Sequence, residues 1–253
     1  QYEAIVEETF GLILDADWAE FKAWLHSNAK RFRNKNIKET RRNSVFLSWL
    51  KLFNHFEQTL PQLKNITEQS LQQETQKLEG FLENWREAIT ILLESWPEQA
   101  KIADFKGQTP LMLALDKGDI ELTRLLLPLS DVNCQDYKGR SCFHSAVVGG
   151  NLLCLELILY SDYLDVLTTT IEGNTALHMA VRFGKPELVS LILDEFPGLS
   201  EVMNNDRQTA LSLAKDIYQN YAHWQKFMDN EDRSIGSKSD FADIISQIGF
   251  FSD

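Results

Sequence analysis

Cysteine is scarce in this chain, and long apolar runs are missing. Only three cysteines occur among 253 residues, Cys134, Cys142 and Cys154, and no two of them form a CxxC motif. Three thiols without that spacing argue against a disulfide framework and a cysteine-type zinc site, so a reducing compartment is expected. No apolar run approaches the roughly 18 residues that cross a membrane, so no membrane span is expected. The chain starts at Gln1 and not at methionine, so the sequence leaves open whether a targeting segment has been removed.

Basic charge is also in short supply. The chain has 37 acidic and 25 basic side chains, which gives a net charge of −12. Because phosphate binding requires a basic surface, general nucleic-acid binding is not expected. Residues 81–253 carry the whole imbalance, with 26 acidic and 14 basic side chains, whereas residues 1–80 have 11 of each. This step in charge predicts two regions with different surfaces.

Within the neutral region, basic side chains crowd between residues 30 and 42. The cluster consists of Lys30, Arg31, Arg33, Lys35, Lys38, Arg41 and Arg42. We interpret it as a solvated helix end and loop, because charge runs are usually exposed. A contact for an acidic partner, a lipid headgroup or nucleic acid is the alternative interpretation.

Residues 1–95 show apolar side chains at helical spacing. Asp17, Ser44 and Thr67 suit the N-caps of three helices, and a further helix is expected before Asp17. Alternation with a period of two, which would indicate strands, is missing from this region. Residues 1–80 are therefore predicted to be a helical region, and they match no family that we can name.

A pattern with a period of about 34 residues fills the second half of the chain. Gly107, Gly139, Gly173 and Arg207 hold equivalent positions, 32, 34 and 34 residues apart. The matching segments are Asp104–Leu111, Asp136–Phe143, Ile171–His178 and Asp206–Leu211. Four matches at one period are a strong indication of a repeat architecture.

Each recurring feature of the pattern has a physical reason. The glycines allow the positive φ of a tight turn, and a hydroxyl two residues later can cap the helix that follows. A small alanine within that helix lets neighbouring helices approach closely, and a second glycine ends it. The capping residues are Thr109, Ser141, Thr175 and Thr209; the alanines are Ala114, Ala146, Ala180 and Ala214; the ending glycines are Gly118, Gly150 and Gly184.

This pattern resembles the ankyrin repeat, in which a turn with Asp and Gly precedes Thr-Pro-Leu-His-x-Ala. The resemblance covers residues 104–218 in about four repeats. His144 and His178 retain the family's histidine, whose imidazole bonds neighbouring backbone. In the last repeat Arg207 replaces the turn glycine and Tyr218 replaces the ending glycine, so that first helix is expected to run on.

A degenerate leading repeat is also expected. Trp96 and Pro97 lie 11 residues before Gly107, as Phe196 and Pro197 lie 11 residues before Arg207. The resemblance then implies an all-α ankyrin-repeat solenoid, capped by an N-terminal helical region at residues 1–80. The repeat domain would span residues 81–253, with an insertion at about 219–239 and a final helix at 241–248 that closes the last repeat.

No catalytic constellation stands out from the sequence. His26 and His55 lie on predicted amphipathic helices with no acidic partner at fixed spacing, and no phosphate loop, nucleophile elbow or HExxH motif is present. The acidic string Asp229, Glu231 and Asp232 lacks the other ligands of a calcium loop. We therefore expect no catalytic residue, no metal and no cofactor, and a protein that is not an enzyme. Catalysis in the N-terminal helical region is one alternative.

The resemblance implies a non-enzymatic protein–protein interaction module, an adaptor or scaffold, that binds a protein partner on its concave face and turn tips. The degenerate repeats and the unfamiliar N-terminal region favour a bacterial or effector-type ankyrin protein. The other alternative is an inhibitor or immunity protein whose acidic face masks a basic enzyme. A monomer is expected outside its complex. The expected location is the cytoplasm, or a host cytosol for an effector.

Transferred through the equivalent glycines, the binding residues of the family fall on turn tips and on the ends of the first helices. Apolar side chains there, next to arginine, are typical of interface hot spots. Packing of these side chains on adjacent tips or on the insertion is the alternative. The predicted partner-binding residues are Phe105, Lys106, Asp116, Lys117, Tyr137, Lys138, Arg140, Ile171, Glu172, Asn174, Arg182 and Phe183.

Overall fold

A computed structural model of the protein describes residues 50, 85–94, 97–229 and 236–251. The chain divides into two units, Gln1–Lys106 and Gly107–Asp253. Leu50 is helical and buried, and the rest of the predicted capping region, including the basic cluster at 30–42, lies outside the described residues. The domain boundary between residues 80 and 81 stays a prediction.

In the first unit, residues 85–94 are helical. Trp85, Ala88, Ile89 and Leu92 are buried, which follows the i, i+3, i+4, i+7 spacing of a helix face. A 3₁₀ helix, Pro97–Lys101, comes next, and a second 3₁₀ helix, Pro197–Glu201, occupies the matching place 100 residues later. The predicted correspondence between these two proline segments is therefore confirmed in their local structure.

The second unit contains a series of paired short helices. In chain order they are α1 (Pro110–Lys117), α2 (Ile120–Leu126), α3 (Cys142–Gly149), α4 (Leu152–Leu159), α5 (Ala176–Arg182), α6 (Pro186–Glu195), α7 (Ala210–Gln219), α8 (Tyr221–Asp229) and α9 (Lys238–Phe251). A 3₁₀ helix, Leu127–Leu129, extends α2. The described residues contain no strand, which confirms the all-α prediction.

The predicted capping residues occupy the N-cap positions directly before α1, α3, α5 and α7. The hydroxyls of Thr109, Thr175 and Thr209 each accept the backbone N–H three residues ahead, at 3.3 to 3.4 Å. At Ser141 the backbone N–H donates to Nδ1 of His144 at 3.2 Å. These bonds satisfy backbone donors that a helix start leaves without an intrahelical partner.

Helices α1, α3, α5 and α7 pack on one another in order, and α2, α4 and α6 form a second layer behind them. The predicted alanines lie at the inner contacts, because Ala114, Ala146, Ala180 and Ala214 are all buried. Helix α9 packs on α7 and α6. It therefore closes the last repeat, as the apolar pattern of residues 241–248 predicts.

The last repeat departs from the others where the sequence does. Helix α7 has 10 residues, whereas α1 and α3 have 8 and α5 has 7. The prediction that the first helix of the last repeat is longer than the others is thus confirmed. Arg207 adopts a φ of 59°, in the left-handed region that the equivalent Gly107, Gly139 and Gly173 occupy at 75 to 79°. The predicted insertion contains helix α8 before the chain returns at Gly236.

Candidate functional site

The turn tips of the second unit are closed by their own hydrogen bonds. In the tip 136–140, the N–H of Gly139 donates to the carbonyl of Asp136 at 2.9 Å, and the N–H of Asp136 donates to the carbonyl of Arg140 at 2.9 Å. The tips 170–174 and 204–208 repeat both bonds, at 2.8 to 3.0 Å. Each tip is therefore a small closed loop with fixed side-chain directions.

A side-chain oxygen at the first residue of each tip organises the turn. Oδ1 of Asp136 accepts two backbone N–H bonds, from Lys138 and Arg140, both at 2.9 Å. The Thr170 hydroxyl and Oδ1 of Asn204 accept the corresponding pairs in the next two tips, at 2.9 to 3.3 Å. Sequence reasoning missed Thr170 and Asn204, although a polar residue three positions before the turn residue was the available signal.

Neighbouring tips are joined through their backbones. The N–H of Ile171 donates to the carbonyl of Lys138 at 2.9 Å, and the N–H of Asn205 donates to the carbonyl of Glu172 at 3.1 Å. A Cβ at Gly173 would lie 2.6 Å from the Asn205 nitrogen, so only glycine permits this approach. The tips thus form a continuous row whose spacing is set by main-chain contacts.

Two large apolar side chains stand out from this row. Tyr137 is 75% exposed and Ile171 is 69% exposed. Each is the second residue of its tip, so the two side chains hold equivalent positions on neighbouring tips. Lys138 and Glu172, which follow them in sequence, are also exposed. We call Tyr137, Lys138, Ile171 and Glu172 the tip surface.

Two arginines lie beside the tip surface and are held in place by carboxylates. Arg140 pairs with Asp136 at 2.8 Å and with Asp116 at 3.8 Å. Arg182 reaches Glu172 at 3.5 Å. Both guanidinium groups line a small groove between the tips 136–140 and 170–174, together with Ile171 and Met179. The predicted neighbourhood of apolar and arginine side chains is therefore present in the fold.

Two of the predicted partner-binding residues, Phe183 and Asn174, have buried side chains instead of the exposed ones that partner contact requires. Phe183 is 6% exposed and Asn174 is 7% exposed. The Asn174 amide donates to Oε2 of Glu172 at 3.0 Å, and its oxygen accepts a hydrogen bond from the Asn204 amide at 3.0 Å. Asn174 is buried because it links two consecutive tips.

Phe183 is buried where the insertion returns. The N–H of Gly236 donates to the Phe183 carbonyl at 2.9 Å, and the Tyr221 hydroxyl donates to the Gly236 carbonyl at 2.9 Å. The Arg182 guanidinium lies 5.9 Å from the ring centre of Trp224 in α8. At this end of α5, Arg182 and Phe183 therefore contact the insertion, as the alternative interpretation of these residues predicts.

The other predicted binding residues are placed as follows. Asp116 is half-buried and accepts a long hydrogen bond from the Gln108 amide at 3.4 Å, while Lys117 is exposed. In the first unit, Phe105 and Lys106 are both exposed, with the ammonium of Lys106 at 5.7 Å from the ring centre of Phe105. Their role in partner binding stays a prediction.

The retained histidines make the backbone bonds that the resemblance implies. His178 accepts the Thr175 N–H on Nδ1 at 3.3 Å and contacts the carbonyl of Gln208 through Nε2 at 2.9 Å. His144 does the same with Ser141 and the carbonyl of Asn174. Burial lowers the pKa of both imidazoles, so the neutral form with the proton on Nε2 is the one that fits these bonds.

The thiols sit in surroundings that disfavour reactivity. Burial raises the pKa of all three, most of all that of Cys142, which is completely buried. Cys154 lies 3.8 Å from the Thr123 hydroxyl. Since the thiolate is the nucleophile, the raised pKa values disfavour reactivity, and the two buried thiols, Cys142 and Cys154, act as small core residues.

The part of the chain that the structure describes contains no group of three or more His, Cys, Asp or Glu side chains that could hold a metal ion. It also contains no helix that is long and apolar enough to cross a membrane.

Comparison with known proteins identifies the repeats. A family model for ankyrin repeats in three copies matches residues 82–170, and a model for the single ankyrin repeat matches residues 172–204. Residues 82–204 belong to the ankyrin-repeat family. Because the match begins at residue 82, the degenerate leading repeat before Asp104 is part of the ankyrin array, as predicted.

Curated relatives match about half of this chain or less. Inversin of Canis lupus familiaris is 30% identical over 132 residues, which cover 51% of this chain and 12% of that protein. Leucine-rich repeat serine/threonine-protein kinase 1 of Caenorhabditis elegans is 38% identical over 95 residues, 37% of this chain and 4% of the kinase. The chain thus matches about an eighth or less of these relatives. Its ankyrin segment is a protein–protein interaction module, of a kind that is typically non-catalytic.

Proposed function

We propose that this chain is a non-enzymatic adaptor that binds a protein partner through the tip surface, Tyr137, Lys138, Ile171 and Glu172. The observation that carries the proposal is the exposure of Tyr137 and Ile171 on neighbouring tips whose spacing is fixed by the bond between Ile171 and Lys138. Large apolar side chains on a rigid frame bind at a low cost in conformational entropy.

The surroundings of the tip surface support this proposal. Tyr and Arg are enriched among residues that dominate interface energies, and Tyr137 lies on the tip that Arg140 closes. Arg140 and Arg182 are already oriented by Asp136 and Glu172, so a partner would meet guanidinium groups whose rotamers are restricted before binding. Phe183 and Asn174 support the tips from within instead of contacting the partner.

The test is affinity capture with the whole chain and a double variant, Tyr137→Ala with Ile171→Ala. We expect the partner that wild-type protein captures to be lost or weakened by at least tenfold, since hot-spot truncations cost about 2 kcal/mol or more. The matched control is Tyr163→Ala with Leu167→Ala, which also removes one aromatic and one aliphatic side chain, both exposed, from the loop after α4.

Equal capture by both double variants and by wild-type protein would contradict the proposal, provided that their thermal melts agree. Loss of capture with the control variant alone would place the contact on the loop after α4. Capture with a Phe105→Ala variant tests separately whether the exposed ring in the first unit contributes to binding.

A further inference from the structure

The outer face of helix α4 is unusually apolar for a solvent-exposed helix. Leu152 is 41% exposed, Leu153 is exposed more fully, and Tyr160, directly after the helix, is also exposed. At comparable outer positions, α2 exposes Glu121 and Arg124, and α6 exposes Glu187 and Asp194. Exposed leucines at the start of one helix, in a layer whose other outer positions are charged, point to an interaction site.

Leu152 also lines a groove that is formed by helices and not by the tips. The groove runs over α6, with α4 on one side and α9 on the other, and its apolar lining includes Leu152, Pro186, Leu191 and Phe250. Helix α6 packs on both α4 and α9, so the groove floor is a fixed part of the repeat stack. It is therefore a preformed surface.

The charged side chains that line the groove are all acidic. They are Glu156, Glu187, Asp194 and Asp243. Within the described residues none of these carboxylates has a salt-bridge partner. Four unpaired carboxylates around an apolar strip produce a negative potential that attracts a cationic ligand and repels an anionic one.

We propose that a basic amphipathic segment of a partner protein docks in this groove. Its apolar side chains pack on Leu152, Leu191 and Phe250, and its lysine or arginine side chains pair with Glu156, Asp194 and Asp243. This is a second interaction surface, because the helices that form it do not include the tips. It does not depend on the partner proposed for the tip surface.

The probes are two synthetic peptides of about 15 residues, with leucines spaced along one helical face. One carries lysines on both flanks of the leucine stripe, and its twin carries glutamate at every lysine position. Fluorescence anisotropy at low salt, about 50 mM, measures their binding to the whole chain. We expect the lysine peptide to bind at least tenfold more tightly than the glutamate peptide, and its affinity to fall at about 300 mM salt.

A charge-neutralised variant locates the binding. Glu156→Gln, Asp194→Asn and Asp243→Asn together should weaken binding of the lysine peptide on the order of tenfold. The matched control, Glu121→Gln, Asp162→Asn and Asp206→Asn, changes the net charge equally at exposed positions outside the groove. We expect the control to change the affinity by less than about twofold, because none of its three carboxylates lines the groove and exposed charges away from a contact contribute little.

An apolar variant separates docking from simple charge attraction. Leu152→Ser should also weaken the lysine peptide, whereas Leu167→Ser, at an exposed leucine outside the groove, should not. Three results would each overturn the proposal: no measurable binding of the lysine peptide, equal weakening by the groove and control variants, or a dimer in light scattering that the Leu152→Ser variant abolishes. The last result would show that a second copy of this chain covers the groove.

Discussion

Nε2 of His144 donates a hydrogen bond to the carbonyl oxygen of Asn174 at 3.0 Å. The imidazole lies in α3 and the carbonyl lies in the tip of the next repeat, so this bond joins consecutive repeats through the protein interior. His178 makes the same connection to Gln208 at 2.9 Å. The row of tips is therefore anchored to the helices by two buried, neutral histidines.

A loss of stability at mildly acidic pH follows from these histidines. Burial lowers both pKa values below the ordinary value of 6.5, so the unfolded chain takes up protons before the folded chain does. The free energy of unfolding should be level above about pH 7 and should fall as the pH drops below 6.5, by at most about 1.4 kcal/mol per pH unit for each histidine. Denaturant unfolding between pH 7.5 and 5.5 measures the slope. His178→Gln should reduce that slope, and an unchanged slope in this variant would contradict the assignment.

Helices α1 and α3 are in such close contact at Gly149 that alanine should destabilise the protein at this position. Gly149 ends α3 against the Leu115 carbonyl oxygen, and a Cβ at Gly149 would overlap that oxygen. Gly149→Ala should therefore destabilise the protein, although alanine favours helices by about 1 kcal/mol over glycine. Gly249 in α9 is the control, because a Cβ at that position would meet nothing within 4 Å. Gly249→Ala should leave the melting temperature unchanged or raise it, and equal shifts in the two variants would refute the contact.

The alanines between inner helices should not tolerate charge. Ala146 and Ala180 are completely buried, so Ala146→Asp or Ala180→Asp would bury an unpaired carboxylate at a cost on the order of 3–5 kcal/mol. Thermal melts should show partial or complete unfolding. Ala242→Asp, at an exposed position of α9, should change the melt little, and similar melts for all three variants would mean that the helix packing is incorrect.

The first residue of a tip should be replaceable only by another side-chain acceptor. Asp136→Ala removes the oxygen that accepts the N–H bonds of Lys138 and Arg140, and it should cost about 1.5–3 kcal/mol because the acceptor is a carboxylate. Asp136→Asn should cost less, since Asn204 makes the same pair of bonds in another tip. Chemical denaturation ranks the variants. An Asn variant that is as unstable as the Ala variant would contradict this role.

The sequence predicts features whose physical requirement is local. A capping hydroxyl, a turn that needs positive φ and a buried alanine each act within one repeat, and Thr175, Gly173 and Ala180 are all placed as their positions predict. The long helix α7 is equally predictable, because Tyr218 stands where the other repeats end with glycine.

Exposure of the candidate site was less predictable, because it depends on contacts outside the repeat pattern. Tyr137 and Ile171 are exposed as expected, but Phe183 is buried where Gly236 returns from the insertion. The repeat pattern of the sequence does not predict that the chain returns to Phe183 at Gly236. Asn174 is buried by a bond to Asn204, 30 residues away, and the outer groove on α4, α6 and α9 arises from helices that are distant in sequence.

Site-specific photo-crosslinking tests the central claim most directly. A benzophenone amino acid in place of Tyr137, whose side chain is 75% exposed, is irradiated in cells that produce the whole chain. The account predicts a discrete crosslinked protein at position 137 that disappears when Ile171→Asp is added, and no such product from the same amino acid at Tyr163. A crosslink from position 163 with none from position 137 would contradict a tip surface that binds the partner.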